Sequence, residues 1–219
     1  MPFGEWPTPA LAVAALFAAL LLADAVRRAD WQAPLRDHLV WAGATALLWA
    51  ARQMTVTLPG GLTLQYLGAA WLTLMLGYPR AMVSMSLVFA AEALASGTPP
   101  LAAAPRLLLL GILPAWLIWQ VATQCRRRLA PNLFVFLLGV GFLGLFASYA
   151  LALVLAAGLT AWLGGPTAPD YLQTMLPYAL LLATGESWLE GMMTTLLVVF
   201  APGAVRLFDE RYYLAPPKG

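Results

Sequence analysis

Histidine and cysteine are almost absent from this sequence, which contains one of each, His38 and Cys125. Zinc sites of the His-Glu-x-x-His type and Cys-x-x-Cys pairs need at least two such ligands, so the sequence excludes them. It also lacks the Gly-x-Ser-x-Gly nucleophile elbow and the Gly-x-x-x-x-Gly-Lys-[Ser/Thr] phosphate loop. We therefore expect no enzyme, intramembrane proteases included, and no cofactor bound by this chain.

Charge is the second scarcity, since charged residues make up 10% of the chain and hydrophobic residues 62%. An ordinary soluble domain is about one quarter charged. The apolar residues form runs long enough to cross a bilayer and predict an all-α, polytopic membrane protein with about seven transmembrane helices. The predicted spans are 8–26, 38–55, 62–79, 81–96, 106–123, 132–162 and 176–200. The short connections leave no room for a soluble domain, so residues 1–219 are predicted to form one transmembrane domain.

Basic residues are missing from one set of connections, namely 58–61, 96–100 and 164–170. Ten of the twelve Lys and Arg residues fall in the other set. They are Arg27, Arg28, Arg36, Arg80, Arg126, Arg127, Arg128, Arg206, Arg211 and Lys218. The positive-inside rule then predicts a bacterial-type inner membrane protein with its N-terminus outside and its C-terminus on the cytoplasmic side. The remaining two, Arg52 and Arg106, are expected near outer helix ends, where long side chains snorkel to the interface.

The stretch from Asn132 to Leu163 is too long for a simple crossing of about 30 Å. Gly139, Gly141 and Gly144 allow a bend or close packing within it. Division into two spans would put the basic C-terminus outside. We therefore favour one tilted or broken helix.

Carboxylates within the predicted spans are the main functional signal. Glu186 and Glu190 lie one helical turn apart in the last span, and each costs about 2.5 to 3.5 kcal/mol at the bilayer centre. They are expected to face a cavity, a pathway or hydrogen-bonding groups on other helices. Gln65 and Glu92 lie toward outer helix ends at the level of Arg52 and Gln53, which allows a polar cluster there. The candidate substrate or pathway residues are Glu186, Glu190, Gln65 and Glu92.

Two kinds of surface could dock a partner protein. Small residues recur every four positions at Ala10, Ala14 and Ala18 in the first span and at Ala42, Ala46 and Ala50 in the second. Such faces let helices approach closely, although alanine is also simply abundant here. The run Arg126, Arg127 and Arg128 orients its helices and attracts anionic lipid, and it offers a second docking site.

Several stretches, in order along the chain, resemble one family. They are Leu64–Tyr78 (LQYLGAAWLTLMLGY), Pro131–Phe136 with Gly141–Gly144, and Glu190–Thr194 with Phe208–Tyr213. Together they resemble the permease subunits of energy-coupling-factor ABC transporters, most of all a divergent branch of the CbiM-like cobalt and nickel group. The resemblance implies a substrate-capture subunit that works with a transmembrane coupling protein and two cytoplasmic ATPases, which use the ATP. It implies no nucleic-acid partner. It also makes the second span, with Ala42, Ala46 and Ala50, the docking candidate.

The chain departs from this family at the metal ligands. Metal-binding members begin Met-His and carry a further histidine at the position that aligns with Gln65, whereas this chain has Pro2 and Gln65. Proline lacks the backbone N–H that metal would replace, and glutamine is a poor nickel or cobalt ligand. Either Glu92, Glu186 and Glu190 rebuild a site, or the substrate is not a transition metal.

The prediction is thus a permease subunit for transition metal uptake. The alternatives are an energy-coupling-factor subunit for a non-metal substrate and a membrane scaffold or regulatory subunit that transports nothing.

Overall fold

The computed structural model describes residues 6–57, 63–163 and 168–214. Pro2 and the connections at 58–62 and 164–167 lie outside these residues, as does Lys218. The helices are α1 (Thr8–Arg28), α2 (Leu35–Arg52), α3 (Ala69–Leu76), α4 (Tyr78–Ser96), α5 (Pro100–Arg106), α6 (Leu113–Arg128), α7 (Leu145–Leu163), α8 (Ala168–Phe200) and α9 (Glu210–Tyr213). Two π-helical segments, Leu107–Ile112 and Val135–Gly144, lead directly into α6 and α7, and a 3₁₀ turn covers Pro202–Ala204.

Two short strands join α2 to α3. Strand β1 (Thr55–Thr57) pairs antiparallel with β2 (Thr63–Gln65), and Thr55 lies opposite Gln65. The fold is otherwise helical in the described residues, which confirms the all-α membrane class. Three helical stretches, Thr8–Arg28, Pro100–Arg128 and Val135–Leu163, are long and apolar enough to cross a membrane in the part of the chain described.

The predicted third span, 62–79, is not one continuous helix, although the chain passes here from Gln65, beside the end of α2, to the α3–α4 junction, beside the start of α2. It consists of β2, a loop and the eight-residue α3, which rises about 12 Å against a hydrocarbon core of about 30 Å. Gly68 and Gly77 bound α3 with φ of 68° and 79°, a conformation that side chains with a Cβ rarely adopt. Most α3 side chains are nonetheless buried, because α3 packs against α4 and α6 inside the bundle.

The long stretch before residue 164 is one helix and not two, as predicted, and it runs without a break from Val135 to Leu163. Its π-helical part, Val135–Gly144, holds the three glycines and widens the helix where α6 and α8 approach. A Cβ on Gly144 would lie 3.0 Å from Val121 Cγ1 on α6, so close packing depends on glycine here. Helix α8 packs along α7 and this π-helical segment.

The two alanine faces differ in the bundle. Ala14 and Ala18 on α1 are buried, and α1 packs against α4 and α5. Ala42, Ala46 and Ala50 on α2 are exposed, and α2 contacts the rest of the bundle mainly through α4. The alanines of α1 therefore serve internal packing, whereas those of α2 form an outward face.

Candidate functional site

Four polar side chains meet where α2, β2, α4 and α5 come together, and we call them the Arg52 cluster: Arg52, Gln65, Glu92 and Arg106. The guanidinium of Arg52 donates from Nε to Glu92 Oε1 at 2.6 Å and from Nη2 to Oε2 at 3.1 Å. This two-pronged pairing is the strongest geometry available to arginine and a carboxylate. Arg106 lies 3.9 Å from the same carboxylate, so Glu92 serves two cations.

Arg52 is 1% exposed, which contradicts the prediction that it snorkels to the interface. Its Nη1 donates to the carbonyl oxygens of Tyr66 at 2.7 Å and Leu67 at 3.1 Å. Its guanidinium also lies over the Phe89 ring, 4.5 Å from the centroid. A buried charge is tolerated only when it is paired and hydrogen-bonded, and here Glu92 and the two carbonyls meet that requirement.

Gln65 closes the cluster. Its amide nitrogen donates to the carbonyl of Arg52 at 2.8 Å and to Glu92 Oε1 at 3.0 Å, and its amide oxygen accepts a hydrogen bond from Arg106. The sequence predicted a cluster of Gln65, Glu92, Arg52 and Gln53 at this level. The structure brings the first three together, adds Arg106, and leaves Gln53 on the exposed end of α2, bonded to Trp49.

The two glutamates of α8 are buried, with Glu186 4% and Glu190 0% exposed, so the prediction that they face the bundle is confirmed. Glu186 accepts hydrogen bonds from two backbone amides, Leu67 N at 2.7 Å and Gly68 N at 3.4 Å. Those amides begin the turn into α3. Glu186 therefore fixes the chain at the point where β2 gives way to the helix.

Glu190 is bonded to Tyr149 on α7, whose hydroxyl lies 2.9 and 2.8 Å from the two carboxylate oxygens. The same hydroxyl accepts from the backbone amides of Ala70 at 3.1 Å and Trp71 at 3.4 Å, in the first turn of α3. Tyr66 is a second hydrogen-bonding neighbour of Glu190. The backbone amides at the start of α3, which have no partner within the helix, are thus hydrogen-bonded by side chains of α7 and α8.

The Gln65–Gly68 loop lies between these two groups of side chains. Arg52 binds its carbonyls, Glu186 binds its amides, and the side chain of Gln65 belongs to the Arg52 cluster. Gly68 is required here, because a Cβ would overlap the side chain of Leu48 and come within 2.9 Å of the Tyr66 ring. This loop is the most heavily bonded non-helical segment near the predicted site residues.

These residues do not form a donor set for a bare transition metal. No group of three His, Cys, Asp or Glu side chains that could hold a metal is found in the described residues. Glu92, Glu186 and Glu190 each have a separate partner, and a cation beside Gln65 would face the guanidinium groups of Arg52 and Arg106. The hypothesis that the three glutamates rebuild one metal site therefore has no geometric support.

Some of the predicted docking residues lie on open surface, and one is bound within the chain. Ala42 and Ala46 line an open groove of about 400 Å³ between α2 and α4, with Trp41 and Trp49 at its sides. Arg126 is held within the chain, since it pairs with Asp209 at 3.1 Å and its backbone carbonyl accepts from the Tyr212 hydroxyl at 2.6 Å.

Arg127 and Arg128 are exposed at the end of α6. Burial raises the pKa of Tyr213, in the short α9 that Arg126 anchors, to about 12, so this phenol stays neutral at physiological pH.

Ionisable residues buried inside a membrane-spanning helical bundle are typical of substrate and ion pathways. The family model described as "Cobalt uptake substrate-specific transmembrane region" (CbiM) matches residues 1–204. The chain belongs to this family, and the family predicted from the sequence stretches is confirmed.

Two solved structures share the fold. One is described as a transition metal transporter and is 20% identical, covering 95% of this chain and 99% of its own, with a TM-score of 0.72. The other is a truncated transition metal transporter, also 20% identical with a TM-score of 0.72, covering 91% of this chain and 98% of its own. No curated protein matches the sequence.

Proposed function

We propose that this chain is the membrane-embedded substrate-capture subunit of an energy-coupling-factor transporter that takes up a transition metal. The observation that carries the proposal is the family match across residues 1–204, joined by a fold shared over nearly the whole length of a transition metal transporter. Residues 1–219 are proposed to form one transmembrane domain. Because the sequence contains no phosphate loop, the proposal assigns the use of ATP to partner ATPases that act through a transmembrane coupling subunit.

The proposed orientation places the N-terminus outside and the C-terminus inside a bacterial-type inner membrane, with about seven crossings, the third of which is made by the Gln65–Gly68 loop together with the short α3. The distribution of arginines supports it. The Arg52 cluster then lies toward the outside, and Arg126 toward the cytoplasm. Single cysteines in place of Thr98 and Arg128, in a background without Cys125, test this with a membrane-impermeant thiol reagent. Labelling of Arg128→Cys in intact cells, with none of Thr98→Cys, would reverse the orientation.

The coupling subunit is proposed to dock on the outward alanine face of α2, because that face is apolar, exposed and largely uncovered by other helices. Ala46→Phe should reduce co-purification of the coupling subunit and ATPases about tenfold while leaving thermal stability unchanged. Leu47→Phe is the matched control, since Leu47 is 62% exposed on the neighbouring face. If the wild-type chain never retains either partner in mild detergent, the non-transporting scaffold becomes the better description.

Metal capture is tested directly by titrating purified protein with Ni²⁺, Co²⁺ and Mn²⁺ and by elemental analysis. Saturable binding of one of them supports the metal assignment, and saturable binding of none contradicts it. Glu186→Gln then tests the pathway role, because the amide keeps one acceptor for Leu67 N but removes the charge. Loss of uptake with normal folding would assign Glu186 to the pathway, and unchanged uptake would leave it a structural role.

A second candidate function is capture of an anionic cargo, such as a metal held in a carboxylate chelate. Two guanidinium groups beside Gln65, those of Arg52 and Arg106, favour it. The Arg106 side chain is 42% exposed and is therefore open to a ligand. Binding of the Co²⁺–citrate complex, set against free Co²⁺ and free citrate, distinguishes the two candidates. Arg106→Gln should weaken binding of the complex and spare binding of the free ion.

A further inference from the structure

A basic cavity lies at the opposite end of the bundle from the Arg52 cluster. It has a volume of about 450 Å³ and is lined by residues at the start of α2, the α3–α4 junction and the chain after α8. Three arginines and one aspartate supply its charged groups: Arg36, Arg80, Arg206 and Asp37. These residues are separate from the candidate substrate site, and no role assigned above uses them.

Asp37 is the one carboxylate among the lining residues, and no arginine of this cavity forms an ion pair in the described residues. Arg80 is 6% exposed, yet its one hydrogen bond within the described residues goes to the carbonyl of Asp30 at 2.7 Å. Arg36 and Arg206 are exposed, so the burial cost applies to Arg80 alone, whereas arginines elsewhere pair with Asp24, Glu92 and Asp209. A buried guanidinium without a carboxylate costs several kcal/mol unless an anion compensates it.

The cavity is held in shape by the backbone. Arg206 N donates to the carbonyl of Met75 at 3.3 Å, and Leu207 N donates to that of Leu74 at 3.1 Å, which fixes the chain after α8 against α3. The Arg206 side chain passes over Gly77, where an added Cβ would lie 3.5 Å from its Cδ. The backbone of Arg206 is therefore held at the cavity that Arg80 also lines.

The surroundings favour a phosphate group over a small anion such as chloride. Guanidinium groups match phosphate oxygens in two-pronged pairs, and several of them can share one phosphate. The lining also includes apolar Val40, Met75 and Leu76. On the two helix ends that border the cavity, Leu39 is 64% and Phe200 81% exposed. Basic pockets between helix ends, beside apolar surface, are typical binding sites for anionic lipid head groups.

We propose that this cavity binds a phosphate group through Arg36, Arg80 and Arg206, with the head group of an anionic phospholipid as its source in the membrane. The bound phosphate supplies the negative counter-charge that Arg80 lacks. The lipid thus fastens the start of α2 to the end of α8. This inference is independent of the identity of the transported cargo.

The test measures lipid retained by the purified full-length chain, using native mass spectrometry after exchange into vesicles of phosphatidylcholine with phosphatidylglycerol. Each surface arginine contributes about 1 kcal/mol to anionic lipid binding, which corresponds to about fivefold in affinity. Arg36→Gln and Arg206→Gln should each lower retained phosphatidylglycerol at least fivefold, and the double variant at least twenty-five-fold. The matched control is the double variant Arg127→Gln with Arg128→Gln, two exposed arginines outside the cavity, which measures the general attraction of surface arginines to anionic lipid and should lose less. Arg80→Gln is secondary, because its bond to Asp30 makes it prone to misfolding.

Inorganic phosphate identifies the source of the group. If phosphate alone binds at millimolar concentration and is lost in the double variant, while phosphatidylglycerol is retained no better than phosphatidylcholine, the site holds a free phosphate and the lipid source is wrong. If neither ligand distinguishes the double variant from the Arg127→Gln, Arg128→Gln control, the proposal fails. If the double variant instead loses only the co-purifying ATPase, the cavity docks a protein and the phosphate site is refuted.

Discussion

Replacing Glu92 by leucine removes the counter-charge of Arg52 and leaves a guanidinium that is 1% exposed among helix ends. Removing one partner of a buried ion pair costs about 3 to 5 kcal/mol. Arg52 keeps its bonds to the carbonyls of Tyr66 and Leu67, so we expect the lower end of that range. For a chain of this size, about 3 kcal/mol lowers Tm by roughly 6 to 12 °C.

The assay is thermal unfolding in mild detergent, followed by tryptophan fluorescence. The control is Asp24→Asn, which breaks an ion pair of the same chemistry with Arg28 at 2.9 Å, where both side chains are about half exposed or more. Exposed pairs contribute about 0 to 1 kcal/mol. If Glu92→Leu lowers Tm no more than Asp24→Asn does, the Arg52 cluster is solvated and the reasoning is wrong.

A double variant separates the pair from its surroundings. Arg52→Met with Glu92→Leu replaces both charges by apolar groups of similar size, which is often neutral or stabilising for a buried pair. We expect the double variant to regain part of the stability that Glu92→Leu loses. The recovery is partial because the Arg52 hydrogen bonds to the Gln65–Gly68 loop are lost as well.

Three further predictions concern packing and hydrogen bonds, each measured as a change in Tm. Gly191→Ala should destabilise the protein by about 1 to 3 kcal/mol, because the added Cβ would lie 2.6 Å from the Phe142 ring. Its control is Gly185→Ala on the same helix, where a Cβ meets open space and the change should be neutral or stabilising. Tyr149→Phe should cost about 1 to 3 kcal/mol, since it leaves buried Glu190 without this donor; equal stability would contradict the assigned bond. Asp209→Asn should cost under about 1 kcal/mol, because its pair with Arg126 is partly exposed, and a larger loss would mean that the tail is more tightly held than its exposure implies.

The burial of Glu186 and Glu190 followed from the sequence because the cost of a carboxylate in lipid depends little on the details of the fold. Hydropathy located the third span but did not give its structure. The residues of α3 are apolar enough to face lipid, but they face protein, and hydropathy does not distinguish these environments. The two glycines that bound α3 were visible in the sequence as a signal of a broken run.

The Arg52 cluster was predicted in part. Gln65, Glu92 and Arg52 were placed at one level by their distance from helix ends, which is a local property. Arg106 was missed because its meeting with Gln65 depends on which helices are neighbours, and the apolar runs contain no such information. One signal was available, since a carboxylate and an arginine at the same membrane depth are expected to pair. The buried role of Arg52 follows from that rule as well.

The doubly held loop has a mechanical consequence. Two peptide groups, Tyr66–Leu67 and Leu67–Gly68, are hydrogen-bonded at their oxygens by Arg52 of α2 and at their nitrogens by Glu186 of α8. Rotation of either peptide group weakens its hydrogen bonds to Arg52 and to Glu186 together. The loop is therefore a rigid connection between α2, in the first third of the chain, and α8, in the last third. The side chain of Gln65 and the contact with Glu186 on α8 are therefore separated by only a few residues of one hydrogen-bonded loop, which links the Arg52 cluster directly to α8.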